Sequence, residues 1–225
     1  MTGSESGGGR RSPGRGLRRG LLGTRAPLIG LIGPIGCGKS TVAGFLAERG
    51  AAVIDADQLS RDVMLPGTPV TESILARFGE QYRRPDGSLD RAALGRLVFS
   101  DPDRLAELEA IVHPAVEQLE RDAIRSADAR RPTAIALEAV KLIEAGHAPW
   151  CDEIWLVLCG PEAQLARLTG RGMTEADARQ RIAAQVGSLP AWRVAATHTI
   201  RTDGSREEVA LAVDGALEEL LTRHR

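Results

Sequence analysis

Asparagine is missing from this 225-residue chain, and lysine occurs only at Lys39 and Lys141, against 27 arginines. Without asparagine there is no N-K-x-D step of the kind that reads guanine, so a GTPase is excluded. Cysteine is scarce: Cys37, Cys151 and Cys159 form no C-x-x-C pair and are odd in number. That excludes a disulfide framework and a cysteine zinc site, and it suits a reducing, cytoplasmic setting. No window approaches eighteen consecutive apolar residues, so nothing in the pattern spans a membrane. The first residues lack the apolar core that a secretory signal needs. The formal net charge of −1 argues against a general nucleic-acid binder.

The charge is unevenly spread. Residues 1–26 carry six arginines and one acid, Glu5, and are rich in glycine and serine. Such a segment buries too little apolar surface to offset the entropy of ordering, so a disordered basic tail is expected there. The remaining length is enough for one α/β domain.

What the chain does have is the run Leu28-Ile29-Gly30-Leu31-Ile32 followed by Gly33-Pro34-Ile35-Gly36-Cys37-Gly38-Lys39-Ser40-Thr41. It reads as an apolar strand, G-x-x-x-x-G-K-S, and a helix start, the context in which a phosphate-binding loop is credible. Glycines at 33, 36 and 38 let the backbone curl so that successive N–H groups face a triphosphate, and the following helix adds its positive end. The Lys39 ammonium is suited to the β- and γ-phosphates, and the Ser40 hydroxyl to Mg²⁺. The loop from Gly33 through Ile35, Gly36, Cys37, Gly38 and Lys39 to Ser40 and Thr41 is therefore the expected ATP site.

Further along, Ala52–Ile54, Thr133–Leu137, Glu153–Leu158 and His198–Ile200 read as strands. A helix-rich stretch from about 58 to 131 separates the second from the third. Ser100-Asp101-Pro102 starts a long helix that His113-Pro114 is expected to interrupt, because proline removes a donor and clashes one turn back. Thr174 and the Ser205/Glu208 pair have helix-start spacing. Alternation of this kind predicts an α/β fold with a parallel sheet flanked by helices. Ligands then gather at the carboxyl ends of the strands, where Gly33, Asp57 and Glu138 all fall. A long insertion after the second strand and an arginine-bearing segment at about 168–180 suggest a small-molecule kinase with an acceptor-holding insertion and a short lid.

The phosphate loop, then Val53-Ile54-Asp55-Ala56-Asp57 and Arg61, resemble the dephospho-coenzyme A kinase family. So do Pro66-Gly67-Thr68, Asp86-Gly87-Ser88-Leu89, Ile111-Val112-His113-Pro114 and Arg181-Ile182-Ala183-Ala184-Gln185. These landmarks come in that family's order over about residues 28–220. The resemblance implies phosphorylation of the ribose 3′-hydroxyl of dephospho-CoA by MgATP. It makes Asp57 the carboxylate that takes or orients the hydroxyl proton, a role that in-line phosphoryl transfer requires of some group. It also implies that Arg171, helped by Arg167, stabilises charge on the transferred phosphoryl group. Arg61, His113 and Gln185 become acceptor-binding residues. From the residues alone, Asp55 also reads as a strand-end cap and Asp57 as the N-cap before Gln58.

Where the family shows D-x-P-L-L-x-E after the third strand, this chain has Glu138-Ala139-Val140-Lys141-Leu142-Ile143-Glu144. Glu138 could hold Mg²⁺ through water, and Lys141 could meet a phosphate or point outward. A kinase for another small acceptor, such as a nucleoside or nucleotide, and a non-enzymatic ATP-binding regulator are the competing readings. The expected partners are ATP and dephospho-CoA, without membrane or nucleic acid, acting on a monomer or weak homo-oligomer.

Overall fold

Five short apolar runs become the strands of one sheet in the computed structural model, which describes residues 20–224. They are β1 (Leu28–Ile32), β2 (Ala52–Asp55), β3 (Ile135–Glu138), β4 (Glu153–Leu158) and β5 (His198–Arg201), in the order β2-β3-β1-β4-β5, all parallel. A parallel sheet needs cover on both faces, which is why β1 is buried at every position. Side chains alternate along it. Ile29 and Leu31 join one core with Val42, Phe45 and Leu46 of α1 (Lys39–Glu48) and with Val213 and Leu217 of α9 (Arg206–His224). Leu28 and Ile32 face the other way, toward Ile124 of α5 (Pro102–Ala129) and Trp192 of α8 (Leu189–Ala195).

Register sets the site. Glu138 at the end of β3 pairs with Asp55 of β2 on one side and with Leu31 of β1 on the other. The carboxyl ends of three strands thus bring the phosphate loop, the Asp55–Asp57 segment and Glu138 to one edge.

Between β2 and β3 the chain forms α2 (Ala56–Asp62), α3 (Pro69–Phe78), α4 (Arg91–Phe99) and α5. These helices have their own core of Ile74, Leu75, Leu94 and Val98, packed against Leu105, Leu108, Ile111 and Val112 of α5. The break expected at His113-Pro114 does not occur: α5 runs for 28 residues with Pro114 inside it. Pro114 removes a single ladder bond, while the apolar face on both sides of it stays packed, N-terminally on this core and C-terminally on the sheet. The third strand begins at Ile135, not Thr133: the Thr133 N–H donates to the carbonyl of Gly50 in the turn before β2, and regular pairing starts only where Ala52 meets Ile135. Beyond β4 lie α6 (Pro161–Thr169) and α7 (Glu175–Gln185), then α8, β5 and α9. Ser205 and Glu208 close the capping box at the start of α9, with N–H···O distances of 2.7 and 3.2 Å.

Of the tail expected over residues 1–26, positions 1–19 lie outside the described residues. From Gly20 onward the chain is tied to the body. Asp152 accepts from the Gly20 and Leu28 N–H groups at 2.8 and 2.7 Å, and Asp128 accepts from Ala26 N–H at 2.9 Å. Two half-buried carboxylates on the domain, Asp128 and Asp152, supply what the segment's own composition could not.

Candidate active site

The phosphate loop runs from Gly33 at the end of β1 to the first turn of α1. Gly33 has φ +146°, and a Cβ there would lie 2.2 Å from the Val157 carbonyl oxygen, so the loop can leave the sheet only through glycine. Gly38 is the N-cap of α1 at φ +84°, and no side chain caps that helix. Thr41 and Val42 N–H donate to the Gly38 carbonyl at 3.0 and 3.1 Å, which leaves the Lys39 and Ser40 amides ahead of them for an anion.

Lys39 is buried, and its Nζ donates to the Gly33 carbonyl at 2.9 Å and the Pro34 carbonyl at 3.3 Å. Burial lowers its pKa, while the Glu138 and Asp57 carboxylates pull it back up. Ser40 Oγ donates to Glu138 Oε1 at 3.3 Å. Burial raises the Glu138 pKa and the Lys39 charge opposes it.

Asp57 is not the helix cap. Asp55 is the N-cap of α2, its Oδ1 accepting from Gln58 N–H at 2.8 Å. One residue of α2 then rotates Asp57 out of the capping position and toward the loop. Burial, followed by the neighbouring Asp55, raises the Asp57 pKa; Lys39, Arg61 and Lys141 lower it. Asp57 lines a cleft of about 190 Å³ with Lys39, Ser40, Glu138, Arg171 and Gln185. It also lines an adjoining cavity of about 380 Å³ with His113, Glu117, Lys141 and His147. Asp57 is the one side chain common to both.

That shared position decides what the arrangement can do: one space has phosphate-binding chemistry, the next has room for an acceptor, and a carboxylate stands at their boundary. The dephospho-CoA kinase family profile matches residues 27–208. The chain belongs to the dephospho-CoA kinase family. A dephospho-CoA kinase of Geobacter metallireducens is 51% identical over 162 residues, spanning 71% of this chain and 80% of the relative. One from Symbiobacterium thermophilum is 47% identical over 191 residues, 84% of this chain and 79% of the relative. Among solved structures, TT1252 from Thermus thermophilus superposes with a TM-score of 0.72 at 34% identity, covering 87% of this chain and 98% of the other. The fold is also similar to that of dephospho-CoA kinase from Campylobacter jejuni, TM-score 0.65 at 20% identity over 87% and 97% of the two chains.

For a dephospho-CoA kinase family chain the remaining candidates fall into three groups. Arg171, in the turn between α6 and α7, reaches the phosphate cleft. Arg167 does not line it: its Nη1 donates to Thr202 Oγ1 at 2.8 Å, and Thr202 Oγ1 in turn donates to the Cys37 carbonyl at 2.8 Å, bracing the loop from behind. Of the residues assigned to the acceptor by resemblance, His113 lines the larger cavity. Gln185 lies in the phosphate cleft instead, its Oε1 accepting from Ile35 N–H at 2.7 Å. Arg61 lines neither space; it bonds Gln58 and lies 3.9 Å from Asp55. The Ile35 carbonyl accepts from the buried Gln164 Nε2 at 2.7 Å. Neither Gln164 nor Thr202 carried a signal in the sequence, because each acts through a contact more than 100 residues away.

In the wall of the larger cavity, buried Glu120 lies 3.0 Å from His147 Nδ1, and the His147 ring stacks on Trp150 at 3.9 Å. Both belong to chain segments whose sequence reads only as helix and loop.

Proposed function

We propose that this chain transfers the γ-phosphoryl group of ATP to the ribose 3′-hydroxyl of dephospho-CoA, giving CoA and ADP. Family membership supports the substrate pair. The observation that supports the mechanism is the position of Asp57, shared between phosphate cleft and acceptor cavity.

ATP lies with its β- and γ-phosphates on the loop amides, and Lys39, already held by two carbonyls, turns toward them. The acceptor occupies the cavity between α5 and the 139–147 segment, so that the helical insertion of about 58–131 carries its binding. Asp57 accepts the hydroxyl proton or holds the oxygen in line. Its raised pKa suits a base, and the contribution of such a group is about 10²–10⁴-fold. Arg171, on the segment of about 168–180, neutralises charge developing on the transferred oxygens. Closing the cleft excludes water, which would otherwise compete as acceptor.

A magnesium ion fits the oxygen donors present. Ser40 and, through water, Glu138 would hold it. Among the described residues no group of three or more His, Cys, Asp or Glu side chains could bind a metal alone. Bound Mg²⁺ supplies charge neutralisation across the phosphates. Three free thiols support a reducing, cytoplasmic setting. Among the described residues no helix is long and apolar enough to cross a membrane.

The test is ADP release with dephospho-CoA, adenosine, AMP or shikimate as acceptor, with the product identified by mass. Turnover with dephospho-CoA and addition of one phosphate at the 3′-oxygen are expected. Preference for any other acceptor contradicts the assignment.

A further inference from the structure

Cys37 sits in the middle of the phosphate loop between two glycines with positive φ, Gly36 at +77° and Gly38 at +84°. In sequence it reads as small filler. The fold adds a second thiol. Cys159, the first residue after β4, places its Sγ 3.9 Å from the Gly36 carbonyl oxygen, within one peptide unit of Cys37. The two backbones meet on one hydroxyl: Thr202 Oγ1 donates to the Cys37 carbonyl at 2.8 Å and lies 3.5 Å from the carbonyl of Leu158, the residue before Cys159. Cys37 is buried and Cys159 half-buried, so a small oxidant approaches from the Cys159 side. The surroundings are cationic: Lys39 and Arg167 both act on Cys37, and Arg167 acts on Cys159. The hydrogen bond from Cys159 is the largest influence on Cys37 and brings its thiol down to about 7, while Cys159 is pushed up. A thiolate is the form that reacts with a hydroperoxide, and of the pair Cys37 is the sulfur whose surroundings favour it. Cys151 is the contrast: burial pushes its thiol up to about 12, and it has no sulfur partner of this kind.

We propose that Cys37 and Cys159 form a reversible oxidation site, closed to a disulfide by a hydroperoxide, that disables the phosphate loop. The chemistry balances without any group beyond the oxidant. The thiolate sulfur attacks a peroxide oxygen, the O–O bond breaks, and a sulfenic acid forms while the departing hydroxide takes a proton and leaves as water. The second thiol gives up its proton and attacks the sulfenic sulfur. The S–S bond forms as the S–O bond breaks, releasing a second water. The two sulfurs lose two electrons and hydrogen peroxide gains them.

The consequence follows from position. A disulfide draws the sulfurs to about 2.05 Å and fixes the torsion between them. Cys37 lies two residues before Lys39, and its carbonyl is held by Thr202. Tethering the loop to the end of β4 moves the amides that face the phosphates, and the same covalent link blocks their return. Reduction by a dithiol restores the loop.

This effect on nucleotide binding rests on the ATP reading above, whereas the disulfide itself does not. The full chain, reduced and then treated with hydrogen peroxide without nucleotide, is alkylated and digested without reductant. A peptide linking Cys37 to Cys159, with fragmentation excluding Cys151, is expected. ATP affinity should fall about tenfold or more, the size of one lost hydrogen bond to a charged phosphate, and return on adding dithiothreitol. Cys159→Ala should bind ATP normally before treatment and keep that affinity after it. Absence of the linked peptide overturns the proposal, as does a peroxide-induced loss of affinity that persists in Cys159→Ala. A reduced wild-type chain that fails to bind ATP would sink the nucleotide reading instead, and the peptide map would still decide the link.

Discussion

Burial holds three charged side chains at the edge of the sheet out of their ordinary states. It lowers Lys39 and raises Asp57 and Glu138; Lys39 and the two carboxylates oppose those shifts in each other, while Asp57 adds to the rise at Glu138. Lys39→Ala removes the cation that offsets the two carboxylates and the triphosphate. It should weaken ATP binding about a hundredfold, measured by calorimetry, since a charge-assisted contact and its burial are lost together. The raised Asp57 value also predicts a pH profile. A base must be ionised, so the acid limb of kcat/KM should lie above the ordinary aspartate value of 3.8. A limb at or below 3.8 would deny Asp57 the role. At this scale the loop residues were legible, because each is demanded by phosphate geometry at fixed spacing. Asp55 and Asp57 were not separable in sequence: either can cap a helix, and only the start of α2 at Ala56 gives the cap to Asp55. Gln185 shows the limit of resemblance, since its contact with Ile35 depends on how α7 folds back over the loop.

Among the elements, the strands were easiest to read. β1 and β4 are continuous apolar runs bounded by breakers, and they begin and end where the pattern places them. The helical insertion was legible in extent but not in detail. Pro114 carries a strong local signal, and the packing of α5 on two cores outweighs it. Gly33 tests the junction of β1 with the loop. With a Cβ 2.2 Å from the Val157 carbonyl oxygen and φ at +146°, Gly33→Ala should destabilise the chain by about 2 kcal/mol or more in urea unfolding. It should also lower ATP affinity, because relief requires β1 and β4 to separate at the loop.

For the molecule as a whole, a buried polar network joins β4, β5 and α9 on the side away from the phosphate loop. Glu153 is 2% exposed; it accepts from Trp155 Nε1 at 2.8 Å, lies 3.1 Å from His198 Nδ1 and pairs with Arg223. The Glu153 contact raises the His198 pKa. Burial pushes Glu153 up, but His198 and Trp155 outweigh it and leave the carboxyl lowered. A raised histidine stabilises fully below its unfolded value near 6.5 and loses that contribution as pH rises through its folded value. The lowered Glu153 works in the other direction, its contribution lost only as pH falls through its own depressed value. Thermal melts between about pH 5.5 and about pH 8.5 should therefore show the advantage of the wild type over His198→Gln shrinking as pH rises. A difference that stays constant or grows would contradict the pairing. No sequence pattern announces this network, because Glu153, His198 and Arg223 are 25 to 70 residues apart and meet only through strand order. The parallel α/β architecture, by contrast, follows from alternating elements alone, and the placement of Asp57 beside the loop follows from that architecture.

The most direct test of the account is Asp57→Asn, a change that keeps shape and removes the base. Acceptor-dependent ADP release should fall about 10²–10⁴-fold, while ATP affinity stays within about threefold of wild type because the loop and Lys39 are untouched. Turnover near the wild-type rate in a variant that binds ATP normally would contradict it.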